Sequence, residues 1–164
     1  CSTGSMHGGE SYDRGILEQI TKQTGIPSVS VASSVIQALK VLRVKKVAVT
    51  TPYAEELNQV EKRFLESVGF EITDIEGLDI IDAFEIGHLR PEDAYIRGSK
   101  IDSPEADGIF ISCTNWQSIE IIDMLERDLG KPVITSNQST FWAALKKSGI
   151  HQPIEGFGSL LKEH

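Results

Sequence analysis

Four short runs rich in β-branched and aromatic residues recur along the chain: KVAVT at 46–50, FEITDI at 70–75, GIFIS at 108–112 and PVITS at 132–136. Each has the length of a strand and is too continuously apolar to leave one face in water. Amphipathic stretches separate them. Over 54–68, Leu57, Val60, Phe64 and Val68 recur at three- and four-residue spacing, and Gly69 supplies a stop. Over 118–129, Ile122, Leu125 and Leu129 do the same ahead of Gly130 and Pro132. Shorter helices are expected over 34–41 and 139–147, with Ser33 and Ser139 as N-caps, and a further one from Pro91, whose fixed φ suits a first helical position. Strands alternating with helices predict an α/β fold with a parallel sheet covered on both faces. SMHGGES at 5–11 reads as the one flexible loop.

Charge and apolar content narrow the function. Sixteen Lys plus Arg against 24 Asp plus Glu give a net charge of -8, which repels phosphate backbones and anionic membrane surfaces, so neither nucleic acid nor membrane is an expected partner. The longest apolar runs fall far short of the roughly 20 residues of a membrane span. With no basic, hydrophobic leader at its start, the chain reads as soluble and cytoplasmic. Two cysteines 112 positions apart (113 − 1) are too few for a disulfide framework, and no Cys/His spacing suits a metal, so they are expected to be free thiols.

Ligands of parallel α/β sheets collect beyond the carboxyl ends of the strands, which directs attention to three loops. Cys113 follows GIFIS and precedes a helix, where unpaired amides favour a thiolate; the alternative is a small buried hydrophobe. Its neighbours Ser112, Thr114 and Asn115 are polar, as in a cleft. After KVAVT, Thr50, Thr51 and Tyr53 place three hydroxyls at one strand end, enough to hold a carboxylate or simply to form a turn. CSTGSMHGG lacks the spacing of a phosphate-binding loop. A first residue Cys1 also admits an N-terminal nucleophile, which the parallel α/β pattern disfavours. The four histidines read as surface residues, Trp116 and Trp142 as core anchors, and Asp82 or Glu85 as acidic groups that could face the cleft.

Taken in order, CSTGSMHGG, GIPSVSVASSVIQAL, VAVTTPYAEELN, FLESVGFEI, ISCTNWQSIEIID, LGKPVITSNQSTFWAAL and GFGSLL resemble the maleate cis-trans isomerase and arylmalonate decarboxylase branch of the Asp/Glu/hydantoin racemase superfamily. SCTN resembles this branch more than the amino-acid racemases, whose second cysteine is usually followed by Thr-His. The resemblance implies two similar α/β lobes, with one cysteine from each facing an interlobe cleft. On that scheme residues 1–31, including a strand near 28–31, and residues 136–164 belong to a first lobe, and 32–135 form the second. The first lobe is then expected to lack its opening strands, about 60 residues.

The resemblance further implies chemistry without metal or organic cofactor. Cys1 is the expected nucleophile and Cys113 the proton donor, with Ser2, Thr3, Tyr53, Thr114 and Asn115 binding the carboxylates of a small unsaturated dicarboxylate. A homodimer is the expected assembly. Related decarboxylases keep only the second cysteine, so two thiols favour isomerisation over decarboxylation or racemisation. A catalytically silent module that binds a small acid is the alternative from another class. Related isomerases often carry Asn where this chain has Asp82, Ala83 and Phe84, a difference that bears on which acid fits.

Overall fold

The structure is a computed structural model that describes residues 2–164, with side chains from Gly4 onward. All four expected strands form: β1 (Lys46–Thr51), β2 (Glu71–Gly77), β3 (Gly108–Ile111) and β4 (Val133–Thr135). They make one parallel sheet in the order β2-β1-β3-β4, with the register shifting between Val47 and Ala48 where β1 meets β2. Side-chain alternation then builds two cores. Val47, Val49, Phe110 and Ile134 point to one face and Ala48, Ile109, Ile111 and Val133 to the other. This is the covered α/β sheet that the runs predicted.

Helices α3 (Val31–Val41), α4 (Glu55–Ser67) and α8 (Ser136–Lys147) cover the first face, bringing Val35, Leu39, Phe64, Leu65 and Trp142. Helices α6 (Pro91–Ile101) and α7 (Ile122–Leu129) cover the second with Ala94, Ile101, Ile122 and Leu125. Fully burying a Leu or Phe of this kind contributes about 1.5–3 kcal/mol over leaving it exposed. Gly98 lets α6 approach closely, because a Cβ there would lie 2.6 Å from Leu125 Cδ2. No helix among the described residues is long and apolar enough to cross a membrane.

Several expectations shift. The helix expected from 34 begins at Val31, and its N-cap is Ser30, not Ser33. Ser30 Oγ accepts from Ser33 N–H at 3.0 Å while Ser33 Oγ accepts from Ser30 N–H at 3.3 Å, a reciprocal box that satisfies two amides at once. Likewise Thr135, not Ser139, caps α8 by accepting from Gln138 N–H at 3.1 Å. Residues 28–31 form no strand, since the extended Ser30 leads straight into α3. The segment 5–11 is not a loop: Ser5 and Met6 close α1 (Ser2–Met6), and α2 (Gly9–Thr24) follows. Both pack against α3, where Ala32 N–H donates to Ser5 Oγ at 3.1 Å and Ser30 Oγ donates to Asp13 Oδ2 at 2.5 Å.

The face of α4 also turns. Its buried side chains are Asn58, Glu61, Phe64 and Leu65, while Leu57 is exposed and Val60 only half-buried. Two polar side chains thus occupy the inner face of a helix whose apolar spacing pointed elsewhere.

Candidate active site

The carboxyl ends of the neighbouring strands β1 and β3 carry two of the three loops that the sequence singled out, TPY and CTN. At the end of β1, Thr51 Oγ1 donates to Asn58 Oδ1 at 2.5 Å and accepts from Tyr53 N–H at 3.0 Å. Asn58 therefore supports the TPY turn from behind, and Tyr53 is buried as a result. Glycine is required at 77, at the end of β2, because a Cβ there would overlap the Tyr53 carbonyl and the Asn58 amide.

Cys113 follows β3 and is 5% exposed. Its φ of 134° lies in a region that side-chain-bearing residues avoid, a conformation costing roughly 1–3 kcal/mol that persists only where its surroundings enforce it. Those surroundings are visible. Cys113 N–H donates to Ser136 Oγ at 3.1 Å, tying the loop to the first turn of α8, and Asn115 N–H donates to Cys113 Sγ at 3.3 Å.

Asn115 is exposed and its side chain reaches across the loop, Nδ2 donating to the Ala83 carbonyl at 2.7 Å. Ala83 opens the short helix α5 (Ala83–Gly87), which Asp82 caps by accepting from Phe84 N–H at 2.8 Å. Asp82 thus serves a helix end. A surface hollow of about 380 Å³ lies here, lined by Ala83, Phe84, Gly87, His88 and Asn115. Ile81 and Phe84 beside it are 89% and 80% exposed. On the other side, Asn137 Nδ2 donates to the half-buried Thr114's carbonyl at 3.1 Å.

Of the expected site residues, Tyr53, Cys113, Thr114 and Asn115 thus gather on the β1 and β3 ends. Cys1 lies outside the described residues. Ser2 and Thr3 belong to the backbone of α1, and their side chains are likewise outside them. Sequence reasoning passed over Asn58, Glu61, Ser136 and Asn137. Asn58 and Glu61 carry a signal in retrospect, since polar residues three apart share one helix face. Glu61 is 1% exposed, and neither of its oxygens, nor Ser112 Oγ, has a hydrogen-bond partner. Burial pushes the Glu61 carboxyl from its ordinary 4.5 up to about 7. Among the described residues no group of three His, Cys, Asp or Glu is placed to hold a metal ion.

A parallel α/β sheet with a buried cysteine held at positive φ beyond the end of a central strand defines the class: a parallel α/β protein whose carboxyl edge carries a constrained thiol. Within that class the chain belongs to the arylmalonate decarboxylase family, whose family model matches residues 2–161. The maleate isomerase of Alcaligenes faecalis is 28% identical over 167 residues, covering 98% of this chain and 66% of the relative. The chain thus spans about two thirds of that curated relative's length. A structure of the Pseudomonas putida S16 maleate isomerase, a cysteine-to-alanine variant with maleate, superposes with a TM-score of 0.92 at 26% identity, over 98% of this chain and 67% of that one. The Nocardia farcinica maleate cis-trans isomerase, in a cysteine-to-serine variant with a covalently bound succinylcysteine intermediate, gives a TM-score of 0.92 at 25% identity, over 100% and 69%.

Proposed function

We propose that the protein is a cofactor-independent, cysteine-based isomerase of a small unsaturated dicarboxylate, with maleate as the first candidate. The observation that carries the reading is Cys113 itself, held at a costly φ with an amide on its sulfur at the ligand-binding edge of the sheet. The relative with a succinylcysteine intermediate supports covalent chemistry at a thiol. In the proposed cycle the Cys1 thiolate adds to one alkene carbon. The displaced π electrons pass toward the neighbouring carboxylate, and Cys113 gives its proton to the second carbon, leaving a succinyl thioether. Rotation about the new single bond follows. Cys113 thiolate takes a proton back from that carbon, the double bond re-forms, and Cys1 leaves as thiolate, so atoms and charge balance. Ser2, Thr3, Tyr53, Thr114 and Asn115 are the proposed carboxylate partners.

The same reading assigns residues 1–31 and 136–164 to one lobe and 32–135 to another, and includes a homodimer, which sedimentation velocity tests. Proton NMR of maleate in deuterated water tests the activity: fumarate should form, and Cys113→Ser should slow it by about 10³-fold or more. Undiminished turnover in that variant would remove Cys113 from the chemistry. A second reading, decarboxylation of an aryl-substituted malonate, draws on the apolar Ile81 and Phe84 beside the hollow. Release of carbon dioxide from phenylmalonate with no fumarate from maleate would favour it.

A further inference from the structure

The loop that carries Cys113 is gripped through its main chain, and the two grips come from successive residues of one helix. Capping of α8 falls to Thr135, whose side chain accepts from Gln138 N–H at 3.1 Å, and Ser136 and Asn137 follow it in the first turn. Ser136 Oγ accepts from Cys113 N–H at 3.1 Å, and Asn137 Nδ2 donates to the Thr114 carbonyl at 3.1 Å. An acceptor thus meets an N–H on one side of Cys113 and a donor meets a C=O on the other. Between them lies the residue with the costly φ of 134°. The base from which both reach is firm, since Gln138, Ser139, Trp142 and Ala143 of α8 are buried.

The carbonyl that Asn137 holds belongs to the same peptide unit as the N–H of Asn115, and that N–H donates to Cys113 Sγ at 3.3 Å. The unit is trans, like every peptide bond among the described residues. In a planar trans unit C=O and N–H point in opposite directions, so fixing one aims the other. We propose that Asn137 is a positioning residue: by holding the Thr114 carbonyl it keeps the Thr114–Asn115 peptide turned with its N–H on the Cys113 sulfur, and so fixes where that sulfur points. This role rests on reading Cys113 as a reacting group, and it gives that group an orienting partner outside the proposed cycle. Sulfur is a weak acceptor, so one N–H steers it only while the peptide behind the N–H is itself held. Direction matters because the cycle asks Cys113 to pass its proton to one alkene carbon, and such a transfer needs the acid within reach and aligned. Asn137 is exposed, so it can be exchanged without opening the core.

Asn137→Asp is the sharpest variant, because it keeps the shape and removes the donor: an ionised carboxylate only accepts, and it repels the Thr114 carbonyl. An acid in the first turn of a helix favours the helix, so a loosened α8 cannot mimic the expected result. Hydrogen–deuterium exchange of the Asn115 backbone amide, followed by NMR, needs no substrate, so a failure of the maleate assay and a failure of this inference are distinguishable. Exchange should be about fivefold faster in Asn137→Asp than in the parent chain, the equivalent of one lost hydrogen bond, and Asn137→Ala should shift it the same way. In Cys113→Ala no sulfur accepts, so adding Asn137→Asp to that background should change the rate by less than about twofold. An unchanged rate in the single variant, or the same acceleration with and without the sulfur, overturns the inference. Where the parent turns maleate over, Asn137→Ala should lower kcat about tenfold and leave KM in place. An unchanged kcat, with or without a rise in KM, would show that the sulfur's direction does not depend on Asn137.

Discussion

The two edges of the sheet are built to opposite rules. At the amino edge the exposed Asp107 closes its corner: Oδ2 accepts from Lys45 N–H at 3.1 Å and Lys46 N–H at 2.9 Å. At the carboxyl edge Cys113 holds a costly φ, and Glu61 and Ser112 keep buried polar atoms without partners. One edge satisfies its polar groups, and the other leaves them poised. Strain and unmet hydrogen bonding are tolerable at the second edge because two apolar cores secure the sheet between them.

Substitutions at the two edges should therefore change stability with opposite sign. The largest effect is expected at Glu61. Its folded value is raised, so stability is fully present below the unfolded value of 4.5 and is lost as pH climbs to about 7. Glu61→Gln should remove that loss, gaining about 3 kcal/mol at pH 8 and nearly nothing at pH 4, as read from urea unfolding at the two values. Equal gains at both would show that shape and not charge is responsible.

Cys113→Gly comes next. Glycine adopts the observed φ freely, so thermal unfolding should show a gain of about 1 kcal/mol while thiol chemistry at that position disappears. A loss would mean that packing of the sulfur outweighs the strain. Asp107→Asn should have the smallest effect and the reverse direction, a loss of no more than about 1 kcal/mol at neutral pH. Asp107 is held below its ordinary value by the two lysine amides, so its contribution is present above that value and fades as pH falls through the folded one. The gap between variant and parent should narrow in acid, which unfolding curves at pH 6 and pH 3 measure.

Much of this design is legible in the sequence because burial on both sheet faces leaves unmistakable β-branched runs, and all four strands follow from them. Helix starts are less legible. Ser30 and Ser33, or Thr135 and Ser139, are chemically equivalent as caps, and only the packed structure chooses between them. Helix α2 escaped notice since GESYDRGILEQITKQT is polar and buries only Asp13 deeply. Cys113, Thr51 and Tyr53 stand out as reactive or hydroxylic residues at strand ends. Glu61 does not, because a glutamate on a helix is ordinarily solvated, and its burial depends on which way α4 rolls against the sheet.

The reach of Asn115 to the Ala83 carbonyl has a consequence for how such a cleft diversifies. The anchor grips main chain, which every residue type provides, so the side chains at 81 and 84 are free to be exchanged without unfastening α5. Point mutation can thus remodel the rim of the hollow while the loop that carries Cys113 keeps its hold on α5.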